Sequence, residues 1–178
     1  MFSRSLKPAL LSAVILTVLI PLLSGCTYTA PYRTVSPTTG LTAGGTARVT
    51  FTFAEIRPGK RWAFFRQTRE VIQNLPSQDG LLGYSFRFEI VGRKAWTMTA
   101  WRDTAAQKRF LKSDSHQRAT RAGEELTTDM RFQTVEVPVT SLPLDWKSAL
   151  TYLESAPRYP PIPSPAATNA VPPAPPSG

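Results

Sequence analysis

The feature that most constrains the fold is the order in which hydrophobic periodicities follow one another between residues 48 and 154. Alternation of apolar and polar residues, which is typical of strands, occurs four times. Periodicity of about 3.6 residues, which is typical of helices, separates the first strand from the second and the third from the fourth, and it returns after the last strand. The predicted elements are a strand from Val49, a helix over 62–75, a hairpin of strands over 84–90 and 96–101, helices over 104–112 (capped by Asp103) and 116–125 (capped by Ser113, Asp114 or Ser115), a strand over 129–139, and a short helix capped by Asp145.

This β-α-β-β-α-β order predicts an α+β domain of the ferredoxin-like kind, an antiparallel four-stranded sheet with helices on one face, plus a C-terminal helix. Such helices leave the second face of the sheet uncovered. We assign to that face several residues that are neither charged nor strongly apolar, namely Thr50, Thr52, Thr97, Thr99, Val135 and Val137. Because such a face is too apolar to be left solvated, we expect it to pack against the sheet of a second copy in a homodimer.

The segments on either side of the domain have compositions that favour extended chain. Residues 26–47 are rich in Thr, Gly, Pro and Ser and nearly uncharged, which predicts a flexible tether. Residues 155–178 are rich in proline, which predicts a disordered, polyproline-like tail. The tail is either solvated without a partner or reaches a partner in the cell envelope.

The first 25 residues have the layout of a secretory signal peptide, with two cations followed by an apolar run over 9–22. This run is shorter than the roughly 20 apolar residues that a transmembrane helix needs. It ends in Leu-Ser-Gly-Cys at 23–26, which resembles the lipobox of bacterial lipoproteins.

The lipobox resemblance implies a location for the mature chain. It implies that residues 1–25 are removed and that Cys26 carries acyl chains, such as palmitate, that anchor the protein in a membrane. Thr27 stands where an aspartate would imply retention in the inner membrane, so the resemblance implies the outer membrane, facing the periplasm.

Composition excludes several kinds of site and partner. One cysteine excludes an internal disulfide framework and a Cys-rich zinc site, and one histidine excludes a multi-histidine metal site. The formal net charge is +9 at pH 7. Because the chain is predicted to be exported, we expect its cations to meet anionic lipid headgroups or cell-wall polymers rather than nucleic acid.

Residues 96–121 carry a second resemblance. They read WTMTAWRDTAAQKRFLKSDSHQRATR and contain, in order, Trp101, Asp103, Phe110, Ser113 and His116. This pattern resembles the antibiotic biosynthesis monooxygenase-like family, whose members are dimeric α+β barrels. Some members oxygenate polycyclic aromatic substrates without metal or flavin, others degrade haem, and others have no known chemistry. The resemblance therefore implies a small apolar or aromatic ligand.

The resemblance also suggests which residues form the site. The pocket is predicted to be lined by Phe86, Phe88, Trp96, Met98, Trp101 and Phe110. If the domain is an oxygenase, His116 would be the base, and Arg87 or Arg102 would stabilise the developing oxyanion. Each of these residues also has a structural interpretation, as a core aromatic, a solvated arginine or a histidine at a helix junction. The sequence therefore leaves three alternatives for the protein: a ligand-binding module, a monooxygenase or a purely structural lipoprotein.

No cofactor is predicted. In the haem-degrading members an iron-ligating histidine lies about one helical turn after the position that matches His116. That position is Thr120 in this chain, and threonine is a poor iron ligand.

Overall fold

Strands and helices alternate along the part of the chain that the computed structural model describes, residues 26–35 and 45–159. The predicted signal peptide, residues 36–44 of the predicted tether and residues 160–178 of the predicted tail lie outside the described residues. The strands are β1 Thr27–Thr29, β2 Arg33–Thr34, β3 Thr46–Ile56, β4 Leu81–Glu89, β5 Lys94–Trp101 and β6 Thr127–Pro138. The helices are α1 Arg61–Asn74, α2 Thr104–Leu111, α3 Asp114–Leu126 and α4 Trp146–Glu154, with short 3-10 helices over Leu75–Ser77 and Val139–Ser141.

The strands form one antiparallel sheet in the order β1-β4-β5-β3-β6, and β2 also pairs with β4. Its four long strands, β3 to β6, have the order and connections of a ferredoxin-like sheet, with β3 paired to both β5 and β6. The predicted α+β fold with a C-terminal helix is thereby confirmed.

Three helices begin at the predicted capping residues. The Asp103 carboxylate accepts the N–H of Ala106 at 2.7 Å, and the Asp145 carboxylate accepts the N–H of Ser148 at 2.9 Å. The Ser113 hydroxyl accepts the N–H of His116 at 3.4 Å. These bonds satisfy N–H groups that the first turn of a helix leaves without a partner.

The two faces of the sheet differ from the prediction. Thr50 is paired with Thr99 on one side and Thr134 on the other, so the three side chains share a face. The amide Nε2 of Gln107, on α2, donates to the Thr50 hydroxyl at 2.6 Å, so this is the face that α2 covers. The placement of Thr50, Thr52, Thr97 and Thr99 on the second face was therefore wrong; alternation shows which residues share a face but not which face meets the helices.

The second face is strongly apolar, and α4 covers part of it. Its buried cluster contains Val49, Phe51, Met98, Ala100 and Val137 together with Ala149 and Leu153 of α4. The ring of Tyr152 stacks on Phe51 with the ring centroids 5.4 Å apart. The indole N–H of Trp146 donates to the Ser85 hydroxyl at 3.1 Å. Part of the face expected to meet a second copy is thus covered by the chain itself, and the homodimer remains a prediction.

Residues 27–35 belong to the sheet and not to a tether. Beyond the pairing of β1 and β2 with β4, the N–H of Ala30 donates to the carbonyl of Phe86 and that of Val35 to the carbonyl of Leu82, both at 2.9 Å. These bonds use backbone groups at a sheet edge, which a composition rich in Thr and Pro does not reveal. The folded unit therefore starts before residue 48, where the prediction placed its boundary.

Tyr32 fastens this segment to the second face. Its ring packs against the buried cluster and lies over Gly83, where an added Cβ would be 2.5 Å from the ring. Burial raises the pKa of the Tyr32 hydroxyl to about 12. A glycine at position 83 is what allows the tyrosine to approach the strand so closely.

The folded unit also extends beyond residue 154. Ala156 is buried with the second-face cluster, and the N–H of Tyr159 donates to the carbonyl of Met130 at 2.8 Å. Residues 155–159, the start of the predicted tail, are thus part of the domain.

Candidate functional site

A cavity of about 510 Å³ lies between the helix-covered face of the sheet and helices α1, α2 and α3. The strand residues at its centre are threonines, and aromatic residues stand around them. Because the threonines are small, the helices rest on the larger aromatic side chains and leave space above the sheet. The residues that line the cavity include Thr50, Thr52, Thr97, Thr99, Phe64, Phe65, Phe86, Phe88, Trp101, Phe110, His116 and Phe132.

Helix α1 shows that side chains do not fill this space. It has an apolar side with Phe64, Phe65, Val71 and Ile72, and all four line the cavity. A helix that packs on a sheet normally buries its apolar side. No residue of α1 is buried, so its apolar side chains face the cavity.

His116 lies in the wall of the cavity, in the first turn of α3. Its ring meets the ring of Phe110 edge-on at 4.7 Å, and Phe110 stacks on Trp101 at 4.9 Å. Burial lowers the pKa of His116, and the nearby carbonyl of Leu111 opposes this effect only in part. The imidazole is therefore neutral at pH 7 and able to accept a proton.

A chain of hydrogen bonds connects α2 to the sheet beside the cavity. Gln107 is buried, and its side-chain oxygen accepts from Nε of Arg48 at 3.1 Å. Arg48 also pairs with Glu136 at 2.7 Å. Gln107 and the Thr50 hydroxyl are thus both held in place, the latter also by Thr134 at 3.1 Å.

Sequence reasoning missed Gln107. A glutamine in a short helix is usually predicted to lie at the surface, but Gln107 is three positions before Phe110 and therefore on the same face of α2. This spacing could have predicted that Gln107 is buried.

Seven of the predicted pocket and catalytic residues line or border the cavity: Phe86, Arg87, Phe88, Trp96, Trp101, Phe110 and His116. Met98 does not; it is fully buried in the second-face cluster. It lies between Thr97 and Thr99 on β5, and successive side chains of a strand point to opposite faces. Trp96 borders the cavity, but its ring packs against Phe53 at 5.7 Å and against the second-face cluster.

The two arginines predicted to stabilise an oxyanion lie in different places. Arg87 borders the cavity, and its guanidinium lies over the Trp96 ring at 5.6 Å, on the side of β4 opposite to Phe86 and Phe88. Arg102 is exposed and pairs with Asp103 at 3.2 Å and Asp79 at 3.5 Å, outside the cavity.

The position that matches the relatives' iron-ligating histidine holds a hydrogen-bonded threonine, and His116 is the imidazole that lines the cavity. The hydroxyl of Thr120, at the position of the relatives' histidine, donates to the carbonyl of His116 at 3.0 Å. Residues 26–35 and 45–159 also contain no group of three or more His, Cys, Asp and Glu side chains that could hold a metal ion.

Comparisons with known proteins find one family model that matches part of this chain and several similar structures. Residues 47–122 match the family described as antibiotic biosynthesis monooxygenase. A search of curated proteins finds no match.

Three solved structures illustrate the similarity. PA3566 from Pseudomonas aeruginosa is 21% identical with a TM-score of 0.48, and the match covers 51% of this chain and 93% of that chain. SO0527 from Shewanella oneidensis is 16% identical with a TM-score of 0.49, covering 60% and 97%. NE2512 from Nitrosomonas europaea, a protein of unknown function, is 16% identical with a TM-score of 0.48, covering 56% and 97%.

Proposed function

We propose that the antibiotic biosynthesis monooxygenase-like domain of this chain binds a small apolar or aromatic molecule between α1 and the sheet, on a protein anchored to the cell envelope by lipid. One observation carries the binding proposal: an amphipathic helix covers the sheet without burying a residue, over about 510 Å³ of space. Protein interiors are close-packed, and cavities of roughly 300–1,000 Å³ are typical of ligand sites. Occupation by an apolar ligand would give α1 the contacts that it lacks.

The cavity wall indicates the chemistry of the ligand. Phe65, Phe86 and Phe88 offer apolar and aromatic contacts. The hydroxyls of Thr52 and Thr97 form no hydrogen bond to the described residues, so they are available to a polar atom of the ligand. These walls suit a flat apolar body that carries one or two hydroxyl or carbonyl oxygens.

A monooxygenase activity is the second candidate, and the position of His116 favours it. A neutral imidazole in an apolar wall could take a proton from a phenolic hydroxyl of the ligand, which makes the ring electron-rich enough to react with O₂. Arg102 is paired outside the cavity, and the guanidinium of Arg87, at the cavity border, lies over the Trp96 ring. This candidate therefore depends on His116, on donors such as the threonine hydroxyls and on any reorientation of Arg87.

The lipid anchor is supported by the Leu-Ser-Gly-Cys sequence at 23–26, which follows an apolar run. In the part of the chain that the structure describes, no helix is both long and apolar enough to cross a membrane. The proposal predicts that the protein purified from membranes has a mass equal to residues 26–178 plus acyl groups, and that Cys26→Ser removes the acyl mass. An unmodified Cys26 in the wild-type protein would refute the anchor.

Filling the cavity tests the binding proposal. Thr97→Phe places a ring at the centre of the cavity and should weaken the binding of an apolar fluorescent probe, 1-anilinonaphthalene-8-sulfonate, at least tenfold. Thr46→Phe is the matched control, because Thr46 is exposed at the start of β3 and does not line the cavity. Equal probe affinity in the two variants, with both folded by circular dichroism, would show that the probe does not bind in the cavity and would count against the proposal.

The oxygenase candidate needs a separate measurement. Oxygen consumption with electron-rich phenols is expected from the wild-type protein, and it should be absent in His116→Asn while probe binding persists. Binding without oxygen consumption in both proteins would leave the ligand-binding function and remove the enzymatic one.

A further inference from the structure

The end of the sheet that carries Cys26 is directly attached to the turn between β4 and β5. The carbonyl oxygen of Cys26 accepts the N–H of Ile90 at 2.9 Å. The next residue starts β1, where Thr27 is in register with Glu89. No spacer therefore separates the thiol of Cys26 from the folded domain, and acyl chains on that thiol would begin at this turn.

The same turn carries the most exposed large apolar side chains of the described residues. Trp62 is 85% exposed, and Ile90 and Val91 are each 50% exposed. Trp62 is held beside the turn by its neighbour Arg61, whose guanidinium donates to the carbonyls of Glu89 at 3.0 Å and Ile90 at 2.6 Å. We call Trp62, Ile90 and Val91 the turn patch.

Cations surround the turn patch. Lys60, Arg93 and Lys94 are exposed beside it. The two nearby carboxylates are occupied within the domain: Glu55 pairs with Arg93 at 2.9 Å, and Glu89 accepts the backbone N–H groups of Arg93 and Lys94. A surface of exposed indole and aliphatic groups within a ring of Lys and Arg is the composition that membrane interfaces favour.

Two exposed acids lie at the same end of the domain. Glu124 and Glu125 are near the end of α3, which is connected to β3 where Arg57 donates its N–H to the carbonyl of Leu126 at 2.8 Å. In the strand order, β5 separates the end of β3 from β4, so the Ile90 and Val91 side of the patch is the side farther from these carboxylates.

We propose that the turn patch inserts into the headgroup region of the bilayer that holds the acyl chains of Cys26. This inference rests on the lipid anchor proposed above. The anchor brings the patch to the membrane, the apolar side chains leave water, and the surrounding cations contact lipid phosphates. The aromatic wall of the cavity reaches the same end, because Tyr28 contacts Phe88 at 5.2 Å, so the docked domain would hold that wall close to the bilayer.

Quenching of tryptophan fluorescence tests the insertion. The acylated protein, residues 26–178, is reconstituted in vesicles of phosphatidylethanolamine and phosphatidylglycerol whose acyl chains are brominated near the headgroup. The wild-type protein should be quenched, and Trp62→Phe should lose most of that quenching, because the other three tryptophans are not on the patch. Equal quenching of the two proteins, or quenching of Trp62 by aqueous iodide on vesicles, would place the patch in water and overturn the proposal.

Partition of the unacylated protein separates this inference from the anchor. The Cys26→Ser protein with an unchanged patch should bind the same vesicles weakly. Adding Ile90→Ser and Val91→Ser to that protein should lower its partition coefficient at least tenfold. Leu111→Ser is the matched control, since Leu111 is 38% exposed on α2, at the cavity and outside the turn patch. Loss of affinity in both variants, or in neither, would overturn the proposal.

The two proposals can fail separately. If Cys26 carries no lipid but the patch variants still reduce partition, the anchor is wrong and the membrane surface stands. If Cys26 is acylated but Trp62 stays in water, the anchor stands, and a partner protein, not the bilayer, would cover the patch.

Discussion

Replacing Leu153 by alanine measures how firmly α4 covers the second face of the sheet. Leu153 is 4% exposed and belongs to the cluster that includes Phe51 and Met98. The change removes three buried carbon atoms, at about 0.8 kcal/mol for each methylene equivalent, and leaves a cavity. Together these terms predict a loss of about 3 kcal/mol in the free energy of unfolding, or roughly 10 °C in Tm for a domain of this size.

The assay is chemical denaturation followed by circular dichroism, with light scattering to record the oligomeric state. Leu150→Ala is the matched control, because Leu150 is on the same helix but outside the buried cluster. It should cost less than half as much. If Leu153→Ala costs less than about 1 kcal/mol, α4 does not pack on the sheet in solution, and the second face is then free to meet a second copy as the predicted homodimer requires.

Three further predictions concern single side chains. Asp103→Ala should cost about 1 kcal/mol at pH 7 in thermal unfolding, because alanine cannot accept the N–H of Ala106. The N–H of Ala106 lowers the pKa of Asp103, so the stability from this carboxylate is present above its ordinary pKa of 3.8 and is lost as the pH falls through the lower folded-state pKa. A variant that loses stability in acid as steeply as the wild type does would contradict the cap. The pKa of His116, measured by NMR, should lie below 6.5, because burial disfavours the imidazolium cation. Its contribution to the free energy of unfolding should therefore be complete above pH 6.5 and fall as the solution is acidified. A titration midpoint above 6.5 would contradict its burial. Gln107→Leu should cost about 1–3 kcal/mol in thermal unfolding, because the Thr50 hydroxyl and Nε of Arg48 each lose the hydrogen bond that Gln107 makes to them. An unchanged Tm would show that the chain of hydrogen bonds does not form.

Much of the fold could be predicted because the signals are local. Periodicity located the four long strands and the helices, and Asp103, Ser113 and Asp145 marked helix starts because a cap depends on residues close in sequence. Phe86 and Phe88 could be predicted to lie together for the same reason: they are two positions apart on one strand, so their side chains share a face, and both line the cavity.

What could not be predicted depends on distant partners. Alternation along β5 places Thr97 and Thr99 on one face and Met98 on the other, but contacts with distant residues decide which of the two faces meets α2. Apolar side chains such as Met98 fill the core on the second face, and the small threonines leave the cavity on the first. Likewise, residues 27–35 join the sheet through backbone bonds and through Tyr32 over Gly83, neither of which has a signature in composition.

The lack of buried residues along α1 has a consequence for motion. At its first residue α1 is held by Arg61 on backbone carbonyls, and just past its last residue by the buried Leu75, while along one side it contacts α3. Because none of its residues is fully buried, outward bowing of its middle turns should cost less free energy than opening of the sheet, so amide protons there should exchange with deuterium long before those of β3. The proposed ligand could then enter the cavity through a brief local opening of α1, while the strands of the sheet remain hydrogen bonded.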